Sequence, residues 1–160
     1  MAAKLNSMRV LEQHNIPHEA LDYPDDVKDA EEVAEILGLP YFMVYKTLVV
    51  QPEGEKKPAL VMVASERRLD LKKLARAAGV KKARMVPHAD AEKLTGLQVG
   101  GISALALLDK GWPVYLDAPA TELEHIVISA GRRGTQLRVP VVPLVNILRV
   151  RVADVSSEGE

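Results

Sequence analysis

Val44-Tyr45-Lys46-Thr47-Leu48-Val49-Val50, followed by Ala59-Leu60-Val61-Met62-Val63-Ala64, is the stretch that decides the fold. Both runs are short, rich in β-formers and bounded by turn residues. Gln51-Pro52-Glu53-Gly54-Glu55 opens the connection, so they read as two arms of a β-hairpin with a loop of several residues. Downstream, Asp70 caps a helix that turns Leu71, Leu74, Ala75 and Ala78 inward and stops at Gly79. Upstream, Asp29 with Glu32 three positions on has the form of a capping box, opening a helix through Val33, Ile36 and Leu37 that stops at Gly38. Leu5, Met8 and Leu11 mark one face of an earlier helix ending near 15–17. Shorter strands are predicted at 84–86, 97–101, 114–117, 125–129 and 136–139, with a helix around 89–94. A last helix is expected over 140–148, where Pro143 is tolerated in the first turn. The tail after Asp154 is polar and is expected to fray. Hairpins interleaved with helices predict a mixed sheet of the α+β or α/β kind, covered on at least one side.

The chain has 160 residues, a length that fits one domain over 1–160 with a single core and no staples. No repeat, low-complexity tract or linker interrupts it. The hydrophobic fraction is 48% but aromatics are only 4%, so the core is aliphatic and broad stacking platforms for single-stranded nucleic acid are excluded. Cysteine is absent, which removes disulfides, thiolate nucleophiles and thiolate metal sites. Met1 to Val10 holds no apolar leader, and no run approaches the roughly 18 apolar residues of a membrane span, so a soluble cytoplasmic protein is expected.

A net charge of −1 conceals a division. Residues 12–35 carry nine acidic side chains and one lysine, whereas 66–84 carry eight basic and two acidic ones. The basic run, with Lys72, Lys73, Arg76, Lys81 and Lys82, is either a solvated face or a positive stripe for a polyphosphate.

Three segments carry the candidate chemistry. They are Val44-Tyr45-Lys46-Thr47, Gly100-Gly101-Ile102-Ser103 and Ser129-Ala130-Gly131-Arg132-Arg133-Gly134. Each sets small or hydroxyl residues at a turn, where N–H groups and hydroxyls converge on an anionic or carbonyl oxygen, and Lys46 adds a cation. By strand alternation Lys46 shares a face with Val44, Leu48 and Val50, an odd place for a charge unless it guards an edge or snorkels to water. Thr47 points to the other face. Gly100-Gly101 allows close approach of a ligand to the main chain, or is a plain turn. Asp117, before Ala118-Pro119, reads as a strand-end turn residue. His14, His18, His88 and His125 are scattered, so no metal site is expected. No nucleophile elbow, Walker loop or dinucleotide fingerprint is present.

Val-Tyr-Lys-Thr-Leu-Val-Val at 44–50, Val-Gly-Gly-Ile-Ser at 99–103 and Ile-Ser-Ala-Gly-Arg-Arg-Gly at 128–134 together resemble the signature of the YbaK/EbsC family. These are aminoacyl-tRNA editing domains related to the insertion domain of bacterial prolyl-tRNA synthetase. The resemblance runs from about Leu5 to Val152 and includes Asp70-Leu71-Lys72-Lys73 and Asp117-Ala118-Pro119.

It implies a curved mixed sheet with surrounding helices and a pocket between them. It also implies a trans-editing deacylase that hydrolyses the ester of a mischarged small amino acid on tRNA, first of all Cys-tRNA(Pro), without a cofactor. Lys46, Gly101 and Ser129 would be catalytic, while Tyr23, Thr47, Gly100, Ser103, Gly131 and Arg132 would bind substrate. The aminoacylated 3′ end of tRNA is the expected partner, with Lys72, Lys73, Arg76, Lys81 and Lys82 expected to meet the tRNA phosphates, and prolyl-tRNA synthetase is a further candidate. The alternative is a non-catalytic module that binds aminoacyl-tRNA or a synthetase. Family members often carry a proline after the serine of the Gly-Gly loop and acidic residues beyond the last glycine. This chain has Ala104, Gln136 and Arg138, which leaves the identity of the amino acid open.

Overall fold

The computed structural model describes residues 5–159, so part of the N-terminal stretch read above lies outside the described residues. In chain order the elements are α1 (Asn6–Gln13), β1 (Glu19–Asp22), α2 (Ala30–Leu37), β2 (Tyr45–Pro52), β3 (Ala59–Ala64), β4 (Arg67–Leu69), α3 (Leu71–Ala78) and β5 (Ala83–Met85). There follow α4 (His88–Thr95), β6 (Val114–Asp117), β7 (His125–Ser129), β8 (Thr135–Pro140), α5 (Val141–Leu148), β9 (Arg151–Ala153) and β10 (Ser156–Glu158). The caps form as their side-chain chemistry demands. The Asp29 carboxylate accepts the Glu32 N–H, and that of Asp70 accepts the N–H groups of Lys72 and Lys73.

The β2–β3 hairpin is the centre of a five-stranded mixed sheet ordered β5-β2-β3-β6-β9. β5, β2 and β3 run antiparallel, whereas β6 and β9 join parallel. A second, antiparallel sheet, β1-β8-β7, meets the first where Val44 bridges Val127. β3 is buried along its whole length because both faces are covered. Leu60 and Met62 face the main core with Leu105, Leu116 and Ile128, while Val61 and Val63 face a second one with Leu74 of α3 and Tyr115.

Two expectations are corrected. Residues 97–101 form no strand: the Gly101 N–H returns to the Gln98 carbonyl at 2.8 Å, a turn that Gly100 permits with φ +90°. The tail does not fray, because β10 pairs with β4. The reason is Asp117, which is 1% exposed and so more than a turn residue. Its carboxylate accepts the Val155 N–H at 3.0 Å and the Ser156 hydroxyl. Asp117→Ala would leave both buried donors unpartnered, at about 1–3 kcal/mol each. Equilibrium denaturation should register this as a loss of a few kcal/mol, and a loss below about 1 would assign the tail's anchoring to other contacts.

Among the described residues no helix is long and apolar enough to cross a membrane.

Candidate active site

β5 covers only Val50–Pro52 of β2, so the outer edge of the preceding residues is left to other elements. There, between the start of α2, α4 and the 99–102 turn, lies a cavity of about 170 Å³. Tyr45, Val49, Val86 and Ile102 give it apolar walls, and Lys46, Thr47, Ser129 and Gln136 its polar ones.

Lys46 is half-buried and its ammonium donates to the Ser65 carbonyl at 3.2 Å. Burial lowers its pKa from the ordinary 10.5, while the negative charges of Glu31, Asp29 and Glu66 act in the opposite sense. The other donors of the ammonium remain for a ligand oxygen.

Two of the lining residues carry a buried oxygen without a hydrogen-bond partner, Thr47 Oγ1 and Gln136 Oε1. Strand register sets Gln136 opposite Ser129. Gln136 is 5% exposed and donates its amide N–H to the Tyr23 hydroxyl at 3.3 Å. Burying a polar atom unpaired costs free energy, so the hydrogen-bonding capacity of these two oxygens is unused in the wall of the cavity.

The two glycine-bearing segments clasp each other beside the cavity. A Cβ on Gly101 would stand 2.8 Å from the main chain of Arg132 and Arg133. The Arg133 guanidinium completes the clasp by donating to the Val99 carbonyl at 2.7 Å. On the far side of the 129–134 turn, the Ser7 hydroxyl of α1 donates to the Ala130 carbonyl. Two hydroxyls serve the main chain: Ser129 Oγ accepts the Gly131 N–H, and Ser103 Oγ accepts the Ala106 N–H, each at 3.2 Å.

Residues 24–147 match the aminoacyl-tRNA editing domain. The chain belongs to that family. EbsC of Enterococcus faecalis, named for deacylation of Cys-tRNA(Pro) and Cys-tRNA(Cys), is 35% identical over 97% of this chain and 94% of its own. The proline–tRNA ligase of Sulfurihydrogenibium sp. is 29% identical over 82% of this chain, which spans 22% of the ligase. A crystal structure described as a trans-editing enzyme for prolyl tRNA synthetase superposes with a TM-score of 0.80 at 24% identity, over 98% of this chain and 99% of that one, a likeness in fold.

In this editing domain, Lys46, Thr47, Gly100 and Ser129 line the cavity. Tyr23 stands behind Gln136, its ring buried rather than open at a mouth. Gly101, Ser103, Gly131 and Arg132 lie outside the lining and hold or flank the two turns. Lys72, Lys73, Arg76, Lys81 and Lys82 are on α3 and just after it, away from the cavity, and Lys73 is engaged by Asp154 at 3.1 Å and the Ser156 carbonyl at 2.8 Å. Among the described residues no group of histidines or carboxylates could hold a metal. In the sequence, Gln136 registers only as a departure from the family pattern and Arg133 only as one of two neighbouring arginines, and Ser7 is passed over. Alternation along β8 was a usable signal for Gln136, whereas nothing local marks Ser7, which acts 123 residues away.

Proposed function

We propose that residues 1–160 form one editing domain, a cytoplasmic aminoacyl-tRNA deacylase that removes a mischarged small amino acid from tRNA, first of all cysteine from tRNA(Pro). The observation that carries this reading is a half-buried lysine sharing a small cavity with two unpartnered buried oxygens. The identity with EbsC supports the substrate. Similarity to a segment of proline–tRNA ligases supports prolyl-tRNA synthetase as a further partner, which co-purification would test.

In this reading the ester carbonyl lies against the Lys46 ammonium. Water, or a nucleophilic group of the substrate itself, adds to the carbonyl carbon. Negative charge grows on the carbonyl oxygen, and Lys46 stabilises it without a triad. The carbon–oxygen bond to the ribose then breaks and the ribose oxygen takes the proton that the attacking group gives up. Attack by water releases the free amino acid, whereas attack by the substrate's own group releases a cyclic ester or thioester that water then opens. Ser129 lacks a base bonded to its hydroxyl among the described residues, so it is assigned to holding the turn rather than to attack. The free oxygens of Thr47 and Gln136 receive donors of the bound aminoacyl group, and the size of the cavity excludes large side chains.

Incubating the protein with a panel of mischarged tRNAs tests the proposal: release of amino acid above the buffer rate is expected, greatest for Cys-tRNA(Pro), and no release from any member overturns it. Thr47→Val adds a sharper measurement. Removing an unpartnered buried oxygen should leave Tm unchanged or raised, while kcat/KM falls roughly three- to tenfold for one lost hydrogen bond to substrate. Unaltered turnover would take Thr47 out of the site.

A further inference from the structure

The segment from 102 to 108 separates the cavity from a second concavity built on the same core. Ile102 lines the cavity, whereas Ala104, Leu107 and Leu108 line a groove of about 480 Å³ floored by Trp112. The charged residues of that groove are Arg149 and Arg151, with no carboxylate among them. Arg151 is shared with an adjoining hollow that holds Lys56 and Lys57 beside Glu55. The Lys110 ammonium lies 5.5 Å from the centre of the Trp112 ring. The Arg151 guanidinium lies 5.6 Å from that of Tyr115 and donates to its hydroxyl at 3.0 Å. Arg149 ends α5 with φ 52°, a left-handed conformation that glycine would adopt at less cost.

Charge decides what such a groove takes. On the other side of the cavity α2 exposes Glu31, Glu32 and Glu35, which repel a polyanion. On the groove side cations surround an aromatic floor, the combination that binds nucleotide chains. The spacing also fits. Lys46 on β2 pairs with Val63 and the groove residue Val114 on β6 with Leu60, three residues along β3 and two strands across, or about 14 Å, and the chain joins the two sites directly, since Ile102 lines the cavity and Ala104 the groove. A few nucleotides cover that distance, at roughly 3.4 Å or more each. On α3, Lys73 is already engaged by Asp154 and the Ser156 carbonyl.

We propose that this groove, and not α3, holds the phosphates of the tRNA acceptor strand next to the 3′ end. The inference rests on the deacylase reading for its substrate, but its test does not. Binding of uncharged tRNA to the full chain would be measured across salt concentrations for three proteins: wild type, Lys110→Gln/Arg149→Gly, and Lys72→Gln/Arg76→Gln/Lys81→Gln. Glycine suits the left-handed position, so the groove variant should fold, as circular dichroism would verify.

It should bind about tenfold more weakly, with its log–log salt slope reduced by about 1.4 to 1.8 for two lost contacts, while the α3 variant stays close to wild type. Hydrolysis of a minimal 3′-aminoacyl-adenosine ester should be the same in all three. Unchanged tRNA affinity in the groove variant overturns the proposal, as does a loss confined to the α3 variant. Loss of synthetase binding with tRNA affinity intact also overturns it, and would make the groove a protein-docking face. A wild type that binds tRNA but hydrolyses no ester counts against the deacylase reading alone.

Discussion

Lys46→Ala should lower kcat/KM for mischarged tRNA by on the order of a hundredfold or more, because losing one stabiliser of a developing oxyanion costs about 3 kcal/mol. The fold should survive, since the ammonium makes one hydrogen bond, to the Ser65 carbonyl, at the margin of the core. The pH profile gives a second measurement. Stabilisation of negative charge needs the protonated amine, and burial lowers the pKa of that amine. Activity, corrected for spontaneous ester hydrolysis, should therefore decline as pH rises, with its limb below the ordinary lysine value of 10.5. In a Lys46→Arg protein that keeps measurable activity the limb should vanish, because a guanidinium does not deprotonate in this range. Full turnover by a folded Lys46→Ala protein would end the assignment of Lys46.

Gly101→Val should be as damaging, for a reason different from the one the sequence suggests. Paired glycines read as room for a ligand against the main chain, yet Gly101 lies outside the cavity lining and against Arg132 and Arg133. A Cβ there meets backbone atoms at 2.8 Å, and backbone cannot rotate aside as a side-chain tip can. The turn that carries Ser129 and leads into Gln136 would have to move, breaking the Arg133 clasp on the Val99 carbonyl. Overpacking of this kind costs typically 1–3 kcal/mol, so Tm should fall. Activity should drop a hundredfold or more, since misplacing catalytic groups by about 1 Å has that effect. Even Gly101→Ala should lower both quantities. If Gly101→Ala matches wild type in Tm and turnover, the two turns are not held together at this point.

Much of the fold was legible because its signals are local. The Asp29 and Asp70 caps, the glycine stops at 38 and 79, and the β-former runs at 44–50 and 59–64 each act over a few residues, and each element forms where they place it. The 97–101 segment misled for the same reason. Its apolar content suits a strand, but Glu92 accepts the Val99 N–H at 2.8 Å and a turn closes from Gln98 to Gly101, so no ladder forms.

The sequence by itself determined that a lone cation stands on an aliphatic strand, that no thiolate is at hand, and that three motifs in order resemble those of an editing domain. Only the tertiary structure decided which of those residues share a cavity. Register across β7 and β8 brings Gln136 to Ser129, Gly101 turns out to fit against a turn some 30 positions on, and Asp117 anchors a tail 38 residues away. These are contacts between segments far apart in the chain, fixed by close packing and by the cost of leaving buried polar groups unpaired, and neither is written in any local pattern.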